Sequence, residues 1–209
     1  MTTSMTTSET MSETTREAAS EAASEAASEA ASETTVQTVD VAAATGERAE
    51  LLRTLATRRF FLRWTVRDLT DEQAARRTTV SRLCLGGLIK HVAGVEKAWM
   101  DFVLDRPGAP MGHTAESLER HERGFEMLPG ETLAELLERY EQIARETDAA
   151  VAALPDLQVS HPLPEAPWFE PGARWSARQV LLHIISETAQ HAGHADIIRE
   201  SLDGAKSMG

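Results

Sequence analysis

The sequence predicts an all-α protein: a four-helix bundle preceded by a disordered, acidic tail. Three observations carry this expectation. Four long stretches repeat apolar side chains at a spacing near 3.6 residues. Clusters of proline and glycine separate those stretches. No stretch alternates apolar and polar residues for long enough to form a substantial strand. Four helices of about 20 residues each bury their apolar stripes most simply against one another.

The tail comes first. Residues 1–45 contain no Leu, Ile, Phe, Trp or Tyr. Glutamates recur at every fourth position from Glu9 to Glu33, and Glu17 to Ser32 repeats Glu-Ala-Ala-Ser. Alanine favours helix, but like charges four residues apart oppose it by about 0.2–0.5 kcal/mol per pair. With no apolar face to dock, residues 1–45 are expected to be disordered or transiently helical. They carry eight acidic residues and one basic, −7 of the formal net charge of −12.

The bundle is expected over residues 46–204, with a short tail at 205–209. From Glu47, the residues Leu51, Leu52, Leu55, Phe61, Leu62 and Val66 keep helical spacing with arginines between them. Leu69-Thr70-Asp71-Glu72 reads as a helix end and a capped restart. A second long helix is expected from Ser81 to Leu104, striped by Leu85, Leu88, Val92, Val95, Trp99 and Phe102. Asp105-Arg106-Pro107-Gly108 ends it. Residues 111–130 read as irregular, with a short helix around Ser117 to Phe125. Glu131 to Leu154 is the third helix, with Leu133, Leu136, Leu137, Tyr140, Ile143, Thr147 and Val151 on one side. Prolines at 155, 162, 164, 167 and 171 make the next stretch a loop. Ser176 and Gln179 have capping-box spacing, and Trp175 is placed to staple onto Val180. The last helix runs from there to about Leu202, with Gly204 as its stop.

Composition narrows the function classes. No basic face is visible, so nucleic acid is not an expected partner. No apolar run approaches the ~18 residues that a membrane helix needs. The N-terminus has neither a basic region nor an apolar core of the kind a secretory signal carries, so a cytoplasmic protein is expected. One cysteine, Cys84, precludes an internal disulfide framework or a multi-cysteine zinc site. Its leucine neighbours point to plain burial.

The chemistry lies in the histidines. His183, Glu187, His191 and His194 are spaced 4, 4 and 3 residues apart, along one side of the last helix. With Val180 at zero and about 100° per residue, His191 falls near 20° and Glu187 near 340°, at the edge of the buried arc. His183 and His194 fall further toward the rim, near 300° and 320°. A carboxylate aimed into a bundle costs several kcal/mol unless it is paired or metal-bound. Glu187 and His191, four apart on a helix, have the spacing of two ligands to one cation. His91 lies on the inward side of the second helix and supplies the third donor. The predicted metal site is therefore His91, Glu187 and His191, with water at the open positions. His113, His121 and His161 sit among polar residues and read as solvated surface groups.

Two segments carry a family resemblance. Leu85-Gly86-Gly87-Leu88-Ile89-Lys90-His91-Val92-Ala93-Gly94-Val95-Glu96 resembles the second helix of DinB-like proteins. The segment from Leu182 to Glu200, with Glu187-Thr188-Ala189-Gln190-His191-Ala192-Gly193-His194, resembles their last helix, most of all in the mini-circle protein group. Leu69-Thr70-Asp71-Glu72-Gln73-Ala74 also fits. The resemblance spans roughly residues 47–204. It implies a four-helix bundle with a three-residue divalent metal site, and carries the ligand role onto His91, Glu187 and His191. Many members use three histidines; Glu187 departs from that pattern. The His, Glu, His set is similar to mycothiol-dependent maleylpyruvate isomerase and related thiol transferases.

The resemblance implies a small-molecule substrate and a low-molecular-weight thiol such as mycothiol as co-substrate. It does not transfer roles to His183, His194 or Arg199. The donor set suits Zn²⁺ and is compatible with Ni²⁺, Fe²⁺ or Mn²⁺. A thiol S-transferase or isomerase acting on a small electrophile is the leading expectation. A non-catalytic, metal-binding stress-response or interaction bundle is the alternative. A homodimer fits such bundles, although no stripe demands one.

Overall fold

The computed structural model describes residues 45–106, 119 and 122–207. Residues 1–44, His113 and His121 lie outside this set, as do the rest of 107–118 and Arg120, and with them much of the short helix expected around Ser117 to Phe125. Five helices organise the described residues. They are α1 (Gly46–Trp64), α2 (Asp71–Ala75), α3 (Leu85–Val103), α4 (Leu133–Ala153) and α5 (Ala177–Asp203). The four long ones form the bundle.

Ion pairs and hydrogen bonds between helix ends fix their directions. Glu47 at the start of α1 pairs with Arg178 at the start of α5. Arg199, near the end of α5, donates to the Thr65 and Arg67 carbonyls just past the end of α1. These two helices are therefore parallel. Arg48 reaches the Ala152 and Leu154 carbonyls, so α4 runs antiparallel to α1. Trp99, late in α3, meets His183, early in α5, so α3 and α5 are antiparallel as well. The order is up-down-down-up, and α3 and α4 are parallel neighbours.

Local chemistry sets the element ends. The expected caps at Thr70 and Ser176 are present, each as a full capping box with the glutamine three residues on. Thr132 and Glu135 form a third box, so α4 begins at Leu133. Gly204 ends α5 in the left-handed conformation (φ 79°) that favours glycine. The second long helix starts four residues later than the expected Ser81. The Ser81 and Leu83 amides bond instead to the Thr79 and Ser81 hydroxyls, a local turn that competes with helix.

The proline-rich loop holds a further correction. Ser160–Pro162 (β1) and Arg174–Ser176 (β2) pair antiparallel, with His161 opposite Trp175. Three-residue strands, one of them ending in a proline, are too short for an alternation pattern to reveal. Among the described residues, no helix is long and apolar enough to cross a membrane.

The core has two apolar clusters. One surrounds Leu52, Leu55, Trp99, Val151, Val180 and Ile184. The other surrounds Leu62, Leu88, Val92, Leu136, Tyr140 and Ile198. A buried polar group joins three helices within this interior. Arg59 (α1) donates from Nε and Nη2 to the Glu96 carboxylate (α3), and from Nη1 to Asp148 (α4) at 2.9 Å. Glu96 is fully buried, and Arg59 is 5% exposed. Burial pulls the guanidinium pKa down, but the charge and hydrogen bonds of Glu96, with Asp148, outweigh it and the net direction is up. Tyr140 lies close enough to feel both Glu96 and Arg59; burial first, then Glu96, pushes its phenol pKa upward.

Candidate metal centre

His91 projects from the second turn of α3, where Leu88 and Val92 face the core. Glu187 and His191 project from the middle of α5, flanking the fully buried Thr188. The antiparallel packing of α3 on α5 brings the three together. One ligand atom from each lies within 4.8 Å of the other two. His191 Nε2 is 3.6 Å from Glu187 Oε2. Tetrahedral bonds of about 2.1 Å place donors about 3.4 Å apart, so small side-chain adjustments would suit a cation. The chemistry of the donor set, two imidazoles and one carboxylate, fits a divalent ion. Both histidine rings are buried, while Glu187 is partly open to solvent.

Neighbouring groups hold this arrangement. The Phe125 ring stacks on His91 with centroids 3.8 Å apart. It can do so because Gly86 and Gly87 let the Phe125–Met127 segment lie directly on α3. A Cβ at Gly87 would collide with the Phe125 carbonyl, and one at Gly86 would lie 2.7 Å from Met127 Sδ. Lys90 fastens the same segment, donating to the Glu126 carbonyl and to Glu131. His194 Nδ1 lies 3.3 Å from His191 Nδ1.

Electrostatics follow from these contacts. His191 close beside it holds the Glu187 carboxyl below the usual carboxylate range; burial opposes this, and the charges of His183 and His91 reinforce it. Burial pushes the His183 imidazole below its ordinary 6.5, with Glu187 opposing. His183 sits against an aromatic wall. Its ring is 4.9 Å from Trp99 and 5.3 Å from Trp175, and the two indoles stack on each other at 4.8 Å. Phe169, from the proline-rich loop, packs edge-on against Trp175. Trp168 is largely exposed.

The remaining sequence candidates separate. Cys84 is buried at the N-cap of α3. His161 is half-buried rather than fully solvated, because β1 sets it against Phe102 and near Asp105. Arg199, whose role the sequence left open, is structural. It binds the carbonyls beyond α1 and pairs with Asp203. Phe125 and Gly87 were missed as site residues, since nothing local in a sequence marks a ring that reaches its partner through a glycine step on another element.

Comparison with known proteins adds to this geometry. The family model described as mycothiol-S-transferase matches residues 50–204. No curated protein matches the chain. Among solved structures, a conserved protein from Enterococcus faecalis superposes with a TM-score of 0.56 at 16% identity, covering 78% of this chain and 100% of that one. At that identity the likeness concerns the fold alone.

Proposed function

Given that the chain belongs to the mycothiol-S-transferase family of the DinB-like superfamily, we propose that it joins the sulfur of a low-molecular-weight thiol of the mycothiol type to a small electrophile, using a divalent cation held by His91, Glu187 and His191. Such a cation, when bound, holds a thiol as thiolate at neutral pH. Zn²⁺ is the ion we assign to this donor set. The observation that carries the reading is the convergence of the three donors from two helices, inside the segment that matches the family.

The chain's own residues account for the rest. Three protein donors leave room for a further ligand, the arrangement of a catalytic rather than a closed structural site. Glu187 contributes one negative charge and the imidazoles none, so the loaded site keeps net positive charge for an anionic sulfur. Phe125 covers His91 on one side. Trp99, Trp175 and His183 wall the stretch of α5 that precedes Glu187, and limit water there.

The test is an assay of thiol substitution on 1-chloro-2,4-dinitrobenzene, in which the carbon–sulfur bond forms as the carbon–chlorine bond breaks and chloride and the thiol proton are released, with mycothiol as donor and Zn²⁺-loaded protein. Turnover should vanish with a chelator and return with Zn²⁺. Glu187→Ala should lower it at least about 100-fold, the loss of a few kcal/mol of transition-state stabilisation. Metal-loaded protein that gains thermal stability yet never accelerates thiol addition to any electrophile tried would favour the non-catalytic metal-binding bundle instead.

A further inference from the structure

We propose that His194 is a positioning residue for the metal centre: its Nδ1 accepts the hydrogen bond from His191 Nδ1–H that aims His191 Nε2 into the site. The inference rests on the metal reading above and extends it to a residue outside the donor set.

The geometry assigns the two ring nitrogens of His191 to different tasks. Nε2 is the atom turned toward Glu187, at 3.6 Å. Nδ1 is turned toward His194 Nδ1, at 3.3 Å, with the ring centroids 5.3 Å apart and the planes tilted by 59°. A neutral imidazole carries one hydrogen. If Nε2 gives its lone pair to a cation, the hydrogen must be on Nδ1. The His191 side chain is only 9% exposed, so that N–H needs an acceptor within the protein. His194 Nδ1 is in place to be that acceptor, which puts His194's own hydrogen on Nε2.

The helix makes the pairing possible. His194 is three residues beyond His191 and so lies beside it on the same face of α5. Glu187, four residues before, occupies the other side. The run Glu187, His191, His194 thus forms a line in which the middle ring is held from both sides. Outer partners of this kind fix the tautomer and orientation of a ligating imidazole, and their loss typically costs 10–100-fold in metal affinity.

The experiment is chelator competition for Zn²⁺ with full-length wild type, His194→Ala and His194→Gln, together with ring-nitrogen NMR of the Zn²⁺-loaded proteins. His194→Ala should bind Zn²⁺ about 10–100-fold more weakly. His194→Gln, whose amide oxygen can accept the same hydrogen, should recover most of the affinity. The slowly exchanging His191 Nδ1–H signal should be present in wild type and absent in His194→Ala. Wild type that binds Zn²⁺, with a His194→Ala variant that binds within twofold of it, overturns the role of His194 and leaves the metal centre standing. Wild type that takes up no Zn²⁺ overturns both. Equal loss in the alanine and glutamine variants also counts against a hydrogen-bonding role.

Discussion

Arg59→Met should destabilise the protein by about 3–5 kcal/mol, the cost of leaving buried charge without its partner. The guanidinium bridges Glu96 and Asp148, carboxylates from two other helices, and Glu96 has no exposure to water. Methionine keeps the bulk of the arginine stem but gives neither carboxylate a donor. Both would then face an interior built from the two apolar clusters. For a domain of this size the loss should appear as a fall in melting temperature of roughly 6–20 °C. Replacing all three residues together with apolar side chains of similar volume should restore most of the stability, because the desolvation cost disappears along with the attraction. Thermal melts of the single and triple variants check both halves. If the single variant melts with the wild type, the network contributes nothing and the packing account of the bundle centre is wrong.

Gly87→Ala is the second large effect. Alanine is a better helix former than glycine by about 1 kcal/mol, so an ordinary mid-helix glycine gains from the change. At position 87 the added methyl would strike the backbone of Phe125 and Glu126, which cannot swing aside like the end of a long side chain. Overpacking against unyielding atoms typically costs 1–3 kcal/mol, and this contact should reach at least about 2. The displaced segment carries the Phe125 ring that lies on His91, so Zn²⁺ affinity should fall along with stability. Gly94 is the control. It lies in the same helix, where an added Cβ meets nothing within 4 Å, and Gly94→Ala should stabilise by about 0.5–1 kcal/mol. Urea titration of the two variants should give opposite signs. Equal signs would mean that the Phe125 segment does not rest on α3 as described.

Much of the bundle was legible because its signals are local. The stripe Leu52, Leu55 and Leu62 announces α1, and the Ser176 and Gln179 pair announces the start of α5. The convergence of His91 with Glu187 and His191 was legible too. An inward histidine on one stripe and an inward acid-histidine pair on another have few places to meet in a four-helix bundle. The central ion network was less visible, although its signal was present. Arg59 and Glu96 stand at positions that their own stripes reserve for apolar residues, but neither stripe alone shows that the two charges meet. The helix directions could not be read at all, since apolar periodicity is the same for parallel and antiparallel neighbours. The β1–β2 pair was invisible for want of length. Gly87 was hidden because its reason is a backbone on another segment.

The account depends on one cation shared by α3 and α5, and the metal-to-protein ratio after equilibration with buffered Zn²⁺ tests it most directly. Wild type should hold one Zn²⁺ per chain, and His91→Ala, Glu187→Ala and His191→Ala should each lose it at the same free Zn²⁺ while keeping their helical content. Retention of one Zn²⁺ per chain by His91→Ala, or none in wild type at micromolar free Zn²⁺, would contradict the shared site.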